Sequence, residues 1–377
     1  MRRALPLLAG AAAFGLVLRV VATSCGWPAR ALYDGELEAQ REVARAMDRW
    51  VEADLTPDDF STGSARFDGE WLLVTGVSAV LGYGQSALAH PELRALHAER
   101  MDDALDAMLA ERARAFDAEA WGRDPLDDLG SERPHVAFLA YVSLAAAMTR
   151  LVHPRSRHAA LEQRIVEHLV ARYEAAPHGL CETYPGETYP TDNTAFFGAL
   201  ALHDRASGED HSALLSRLTR TLDQRYRDPR TGLLYQHVDA EDGAILDGPR
   251  GSGTGLAAYF VGFASPALSR SLYDSMRAHL VDRTLGFGTT REYPTGEGGF
   301  GDVDSGPVIF GQGVSVTGFT LALARMHGDR DTFVATYATA ALVGGRSGGH
   351  FALGGPLGDG LLFAFTTALP AERWEAP

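Results

Sequence analysis

Between His178 and Leu202 the chain reads HGLCETYPGETYPTDNTAFFGALAL, and a thiol, carboxylates and phenols crowd the stretch ahead of an apolar helical run. Cys181 stands beside Glu182, with Glu187 and Asp192 close behind. Nearby negative charge disfavours a thiolate, so such a thiol is expected to have a raised pKa. It then suits proton donation or a neutral hydrogen bond better than nucleophilic attack. The plainer reading is a small buried cysteine, with Asp192-Asn193 capping the helix.

Further groups stand at the openings of other apolar runs. His135, in SERPHVAF, has the side chain best suited to proton transfer near neutrality, or it is a first-turn histidine without chemistry. Glu292, Asp302 and Asp304 lie in the glycine-rich REYPTGEGGFGDVDSGPVIFG, read as a pocket lip in preference to a calcium loop, since no EF-hand pattern follows. Glu70 and Trp71 open another run in FDGEWLL, and Arg250 and Ser252 lie in GPRGSGTGL. The latter lacks the spacing of a phosphate loop and is expected to have no strand before it. GRSGG at 345–349 fits the nucleophile-elbow pattern only as letters. There is no H-E-x-x-H and no zinc cysteine pair, so no metal site is expected. Trp71, Tyr184, Tyr189 and Phe300 are candidates for apolar walls.

The elements that position these groups are helices of two kinds. Segments such as ELEAQREVARAMDRWVEA carry one apolar stripe (Val43, Met47, Trp50, Val51) and charge elsewhere. Others, at 70–89, 135–152, 193–204, 255–263 and 314–327, are apolar nearly all round and rich in Ala, Gly and Ser, as close-packed buried helices are. The two kinds alternate across short turns at a repeat of roughly 60 residues. This predicts an all-α fold, an (α/α)6 toroid of inner and outer helices. The glycine-rich stretches 283–312 and 343–360 are expected to be long loops at one mouth, and GLLYQHV at 232–238 short strands. Polar residues just before each inner helix then converge on a central pocket.

The composition is globular, 46% hydrophobic and 22% charged over 377 residues. A net charge of −15 argues against nucleic acid as a partner. All 34 basic residues are arginine, which excludes Schiff-base and P-loop lysine chemistry. The N-terminal MRRALPLLAGAAAFGLVLRVVATSCGW has the pattern of an export signal, with Ala22 and Ser24 ahead of Cys25. The alternative is an anchor giving membrane attachment through residues 4–22. The expected division is a leader or anchor at 1–26 and one barrel domain at 27–377, exported to the cell envelope.

Several stretches between Glu70 and Asp329 resemble the linalool dehydratase/isomerase family: HPELRAL with MDDALDAM, WGRDPLDDLGSERPHVAFLAYVSL, GLCETYPGETYPTDNTAFFGALALHDRASGED, PRTGLLYQHVDAEDGA and DVDSGPVIFGQGVSVTGFTLALARMHGD. The resemblance implies a cofactor-independent enzyme on an (α/α)6 barrel, with Cys181 as the family's first cysteine and His135 as its histidine. Asp192 stands where the second cysteine precedes an asparagine, and GPRGSGTG replaces an expected tyrosine. Asp48 and Asp54 are candidates for the acid that reaches a neighbouring subunit, which implies a homo-oligomer. The leading expectation is a lyase or isomerase on a small-molecule substrate, an alcohol or terpenoid, with Cys181, His135 and Asp192 exchanging protons and no cofactor. Glu70, Trp71, Glu182, Tyr184, Tyr189, Arg250, Glu292, Phe300 and Asp304 are expected to bind it. The alternatives are a carbohydrate-active toroid using Asp192 with Asp304 or Glu70, and an envelope-anchored relative without catalysis.

Overall fold

The computed structural model describes residues 4–375. In chain order it runs α1 (Ala4–Tyr33), α2 (Leu37–Glu52), α3 (Ala65–Ala89), α4 (Arg94–Leu109), α5 (Glu111–Trp121), α6 (Val136–Val152), α7 (Ala159–Ala175), α8 (Pro190–Ser207) and α9 (Ser212–Arg225). There follow β1 (Tyr235–Val238), β2 (Ile245–Pro249), α10 (Gly251–Val261), α11 (Pro266–His279), β3 (Val281–Thr284), β4 (Phe287–Thr290), β5 (Val308–Ile309) and β6 (Gln312–Gly313). The chain closes with α12 (Val314–Met326), α13 (Arg330–Val343), β7 (Arg346–Ser347), β8 (His350–Phe351) and α14 (Gly355–Thr366).

The apolar helices form a closed ring: α3 packs on α6, α6 on α8, α8 on α10, α10 on α12, α12 on α14, and α14 back on α3. The fold is an (α/α)6 toroid. Around it, α4 bridges α3 and α6, α7 bridges α6 and α8, α11 bridges α10 and α12, and α2 covers α14 and α3. The sequence dictates the two layers. In α2 the buried residues Gln40, Val43, Ala44 and Met47 recur at helical spacing on one face. In α6, by contrast, every side chain from Val136 to Thr149 is buried. Small residues let the inner helices approach: a Cβ on Gly82 would meet Phe363 Cδ1 at 2.4 Å, and one on Gly84 would meet Met148 Cγ at 2.5 Å.

The sixth inner helix, α14, lies partly where a loop over 343–360 is expected. Gly360 is a spacer there: a Cβ on it would come within 3.3 Å of Ser78 Cβ and the Thr75 carbonyl. The apolar run Leu361–Phe365 supplies the helical core of that segment. Strand β1 falls within the expected 232–238 stretch, and β2 runs into the first two residues of GPRGSGTGL, contrary to the expectation of no strand there. In α10 those glycines again admit neighbours, since a Cβ on Gly251 would meet the Arg291 carbonyl at 2.7 Å.

Connections from inner to outer helices are short, and those from outer to inner are long and hold all four antiparallel hairpins of the described residues. The long connections therefore gather at the N-terminal ends of the inner helices and build one elaborate mouth. Helix α1 packs on α13 and runs unbroken through Cys25 to Tyr33. Ala22, Ala29 and Leu32 are buried, while Phe14, Leu16, Val17 and Val20 are exposed. Among the described residues two segments are long and apolar enough to cross a membrane, Ala12–Tyr33 and Ala65–Ala89, and the latter is the inner helix α3.

Candidate active site

Three carboxylates from distant parts of the sequence meet at the mouth. Glu70 projects from the second turn of α3, Asp192 from the first turn of α8, and Asp304 from the connection between β4 and β5. Pro190 at the first position of α8 presets the helical backbone beneath Asp192. Asp304 is carried by a turn closed on itself: the Asp302 amide donates to Ser305 Oγ at 2.8 Å, and the Ser305 amide donates to Asp302 Oδ1 at 2.9 Å. Arg250 ties that turn to the barrel through Nη1 to Asp302 Oδ2 at 2.5 Å, while its Nε donates to Glu292 Oε1 at 3.3 Å.

Tyrosines complete the cluster. The Tyr184 hydroxyl donates to Glu70 Oε1, and Tyr141 Oη donates to Asp192 Oδ1 at 2.8 Å. Tyr189 donates to Glu187 Oε2 at 3.1 Å and stacks on His237 at 4.8 Å between centroids. Arg66 lies 4.6 Å over the Tyr184 ring and 3.8 Å from Glu187 Oε1.

Mutual repulsion and desolvation set the protonation states. Burial, then the charge of Asp304, push the Glu70 carboxyl up to about 8, against the Tyr184 hydrogen bond; Asp192 adds to the rise and Arg66 opposes it. Burial and the charges of Asp302 and Asp192 push Asp304 up to about 7. Burial raises Asp192 to about 6, with hydrogen bonds from Tyr141 and Thr183 pulling the other way. Yet Glu70 and Asp192 are only half-buried and Asp304 is exposed. Water reaches all three carboxyls, Asp304 most, so the upward direction of each shift is firmer than its size. Two surface grooves of about 490 and 450 Å³ run along α1 and share no lining residue with this cluster. Charge coupling rather than groove size locates the site.

The structure therefore brings together Glu70, Asp192, Asp304, Tyr184 and Tyr189. It sets the other expected residues elsewhere or in supporting roles. Both ring nitrogens of His135 face carboxylates, Nδ1 at 2.5 Å from Asp117 and Nε2 at 3.0 Å from Asp128, so neither is left for a substrate. His135 also adopts a left-handed backbone conformation, φ 47°, which this ring clamp holds. The Cys181 thiol is buried, has Arg172, Glu182 and Arg217 as its charged surroundings, and is pushed up to about 12 by burial first. Its backbone is pinned by Asn193, whose Oδ1 accepts from the Cys181 amide at 2.8 Å and from Tyr173 Oη at 2.7 Å. Cys181 and His135 thus do not join Asp192 in one proton-exchanging trio.

Trp71 packs with Phe60, Leu72 and Ala113 in a satellite core. Glu182 braces a turn by accepting from the Gly186 amide at 2.8 Å. Glu292 is wholly buried, takes the Ser252 hydroxyl at 2.6 Å, and serves with Arg250 as loop anchorage. Phe300 is fully exposed on the connection that carries Asp304. Asp48 accepts from Tyr83 Oη at 2.7 Å, and Asp54 pairs with Arg112 on the surface. Sequence reasoning missed Tyr141, Thr183 and Arg66. Tyr141 alone left a trace: a lone phenol inside an apolar inner helix must find a polar partner.

No protein-family model and no curated sequence matches the chain. The resemblance to linalool dehydratase/isomerase thus has no sequence match behind it, and the toroid is the part of that reading that stands. Among solved structures the chain is similar to a family 76 glycoside hydrolase from a bovine Bacteroides thetaiotaomicron strain, at 10% identity and a TM-score of 0.49, over 79% of this chain and 68% of that one. It is similar to the alpha-1,6-mannanase GH76A of Salegentibacter sp. HEL1_6, at 12% identity and a TM-score of 0.47, over 93% and 100%. A family 105 glycoside hydrolase of C. acetobutylicum aligns at 10% identity and a TM-score of 0.47, over 79% and 94%.

Proposed function

We propose that the protein is a carbohydrate-active enzyme that cleaves a glycosidic bond of a neutral glycan by acid–base catalysis at the barrel mouth. The observation that carries this reading is the graded set of charge-coupled carboxyls at the barrel mouth: Asp192 pushed up to about 6, Asp304 to about 7 and Glu70 to about 8. At neutral pH Glu70 holds its proton and Asp192 has lost its own, the division of labour that glycosidic cleavage needs. Glu70 protonates the departing sugar oxygen. Asp192, steadied by Tyr141, activates water or attacks the anomeric carbon. Asp304 keeps the proton on Glu70 by its charge. Tyr184, buried beneath Arg66, steadies Glu70, and half-buried Tyr189 offers the sugar the ring face that His237 leaves uncovered. The mouth holds more carboxylates than guanidiniums, so a neutral glycan suits it better than a polyuronate.

The small-alcohol reading needs the Cys181 thiol and the His135 ring free to exchange protons, but the ring is held between two carboxylates and the thiol is buried, with its pKa raised. The exposed apolar half of α1 supports attachment at a membrane and, with the arginines ahead of it, export of the domain that follows.

The test is an assay of the full chain against neutral α- and β-linked oligosaccharides, reading released reducing ends, alongside Glu70→Gln and Asp192→Asn. Turnover by the wild type and a loss of about 10²-fold or more in each variant is the expected result. Unchanged turnover in both variants, or dehydration of alcohols without glycan cleavage, overturns the proposal.

A further inference from the structure

The turn between α8 and α9 gathers donor atoms that the mouth does not use. Among the described residues, one trio of His, Cys, Asp or Glu side chains has its ligand atoms all within 4.8 Å of one another: His203, Glu209 and His211. His203 lies about 16 Å along α8 from Asp192, at the helix's far end.

Each member is held by one atom and left free at another. His203 is wholly buried, with Nδ1 2.7 Å from Glu162 Oε1. Glu162, also wholly buried, accepts from Arg150 at 2.6 Å on its other oxygen, so it offers the ring an acceptor and the ring proton belongs on Nδ1. His203 Nε2 is buried and 3.4 Å from Glu209 Oε2, a contact too long for a good hydrogen bond: with the ring neutral it presents a lone pair, and with the ring protonated it pairs with Glu209. Glu209 has its Oε1 taken by Gln163 Nε2 at 3.0 Å, leaving Oε2 free. Asp204 grips His211 twice, through the ring Nδ1 at 2.6 Å and the backbone amide at 2.8 Å, leaving Nε2. Gly208, with φ 80°, makes the reversal that returns Glu209 and His211 towards His203.

With the His203 ring neutral, acceptors face acceptors across a small, partly buried space. A proton on His203 would satisfy the contact with Glu209 and leave His211 out. A metal ion satisfies all three. Each histidine also donates its remaining N–H to a carboxylate, the outer-shell arrangement that fixes tautomer and orientation in metal sites.

We propose that His203, Glu209 and His211 form a binding site for a divalent cation of the zinc class. Two imidazoles and one carboxylate are a zinc donor set, with a water at the fourth position. Donors about 2 Å from a tetrahedral ion lie about 3.3 Å apart, so the trio contracts on binding. The ion ties the start of α9 to α8 and, through Glu162 and Gln163, to α7. It is a structural clamp at the opposite end of α8 from the mouth and independent of the glycan reading.

The experiment is calorimetric titration of chelator-treated full chain with Zn²⁺, and with Co²⁺ for its visible spectrum, on the wild type, Glu209→Gln and His211→Asn. One tight site per chain, a tetrahedral Co²⁺ spectrum and an upward shift of Tm with Zn²⁺ are expected. Each variant should weaken binding by about 10-fold or more. Far-UV circular dichroism checks that the variants stay folded, and Glu209, exposed on a turn, is the safer of the two. No stoichiometric binding by the wild type, or equal binding by wild type and both folded variants, overturns the site.

Discussion

Glu70 is caught between influences of opposite sign, and each can be removed singly. Asp304 is the second cause of its raised pKa after burial. Replacing Asp304 with Asn removes a negative charge and lowers the Glu70 pKa, so the alkaline limb of the kcat/KM profile moves to lower pH. Tyr141→Phe acts on the other partner. It takes away a hydrogen bond that favours ionised Asp192, so the Asp192 pKa rises and the acid limb moves to higher pH. A profile with its maximum between pH 6 and 8 that narrows from the alkaline side in one variant and from the acid side in the other is the expected outcome. pH-rate measurements on the three proteins decide it, and limbs that stay in place would remove Asp304 and Tyr141 from control of the two carboxyls. His135 and Cys181 show why residue type alone misleads. Both side chains suit proton transfer, but Asp117 with Asp128, and burial among outer-layer residues, commit them elsewhere.

At the scale of elements, periodicity made most of the ring legible. All-round apolar runs mark α3, α6, α8, α10 and α12, and single stripes mark the helices outside them. Helix α14 was harder to read because glycine is both a loop residue and the spacer that inner helices need. Its contact with α3 offers a direct test. Gly82→Ala puts a methyl into the Phe363 ring and should destabilise the protein by about 1–3 kcal/mol, read by chemical denaturation. The mouth was partly legible, since Glu70, Asp192 and Asp304 all precede or open inner helices. Their mutual distances depend on how the connections fold, which no local pattern encodes. Arg250 is the clearest case: it reads as a binding residue and is placed as the anchor of the Asp304 turn. Arg250→Met leaves buried Glu292 without its cation, a loss of about 3–5 kcal/mol where a buried pair is broken. It should also lower kcat/KM by freeing the turn. Activity that survives intact while stability falls would separate the anchor from the site.

The whole molecule carries the charge conflict of its mouth as a pH-dependent stability. Burial and neighbouring negative charge push Glu70 up to about 8 and Asp304 up to about 7 in the folded chain, from 4.5 and 3.8 for the free side chains. Between these limits the folded state holds more protons than the unfolded state, so these groups make stability fall as pH rises. Their favourable contribution is full below about pH 4 and is lost as pH climbs through the folded values. Amides of the same shape neither ionise nor repel. Glu70→Gln and Asp304→Asn should therefore melt above the wild type near pH 8 and converge on it below about pH 4, while Glu70→Gln loses catalysis. Thermal melts across that range measure the effect directly. A gain that persists at low pH would point to packing, and a loss at high pH would mean that the Tyr184 hydrogen bond to ionised Glu70 outweighs burial. A gain confined to high pH would show that the ring accepts a less stable mouth in order to hold a proton on one carboxyl beside another that has lost its own, a trade of stability for reactivity common at catalytic sites.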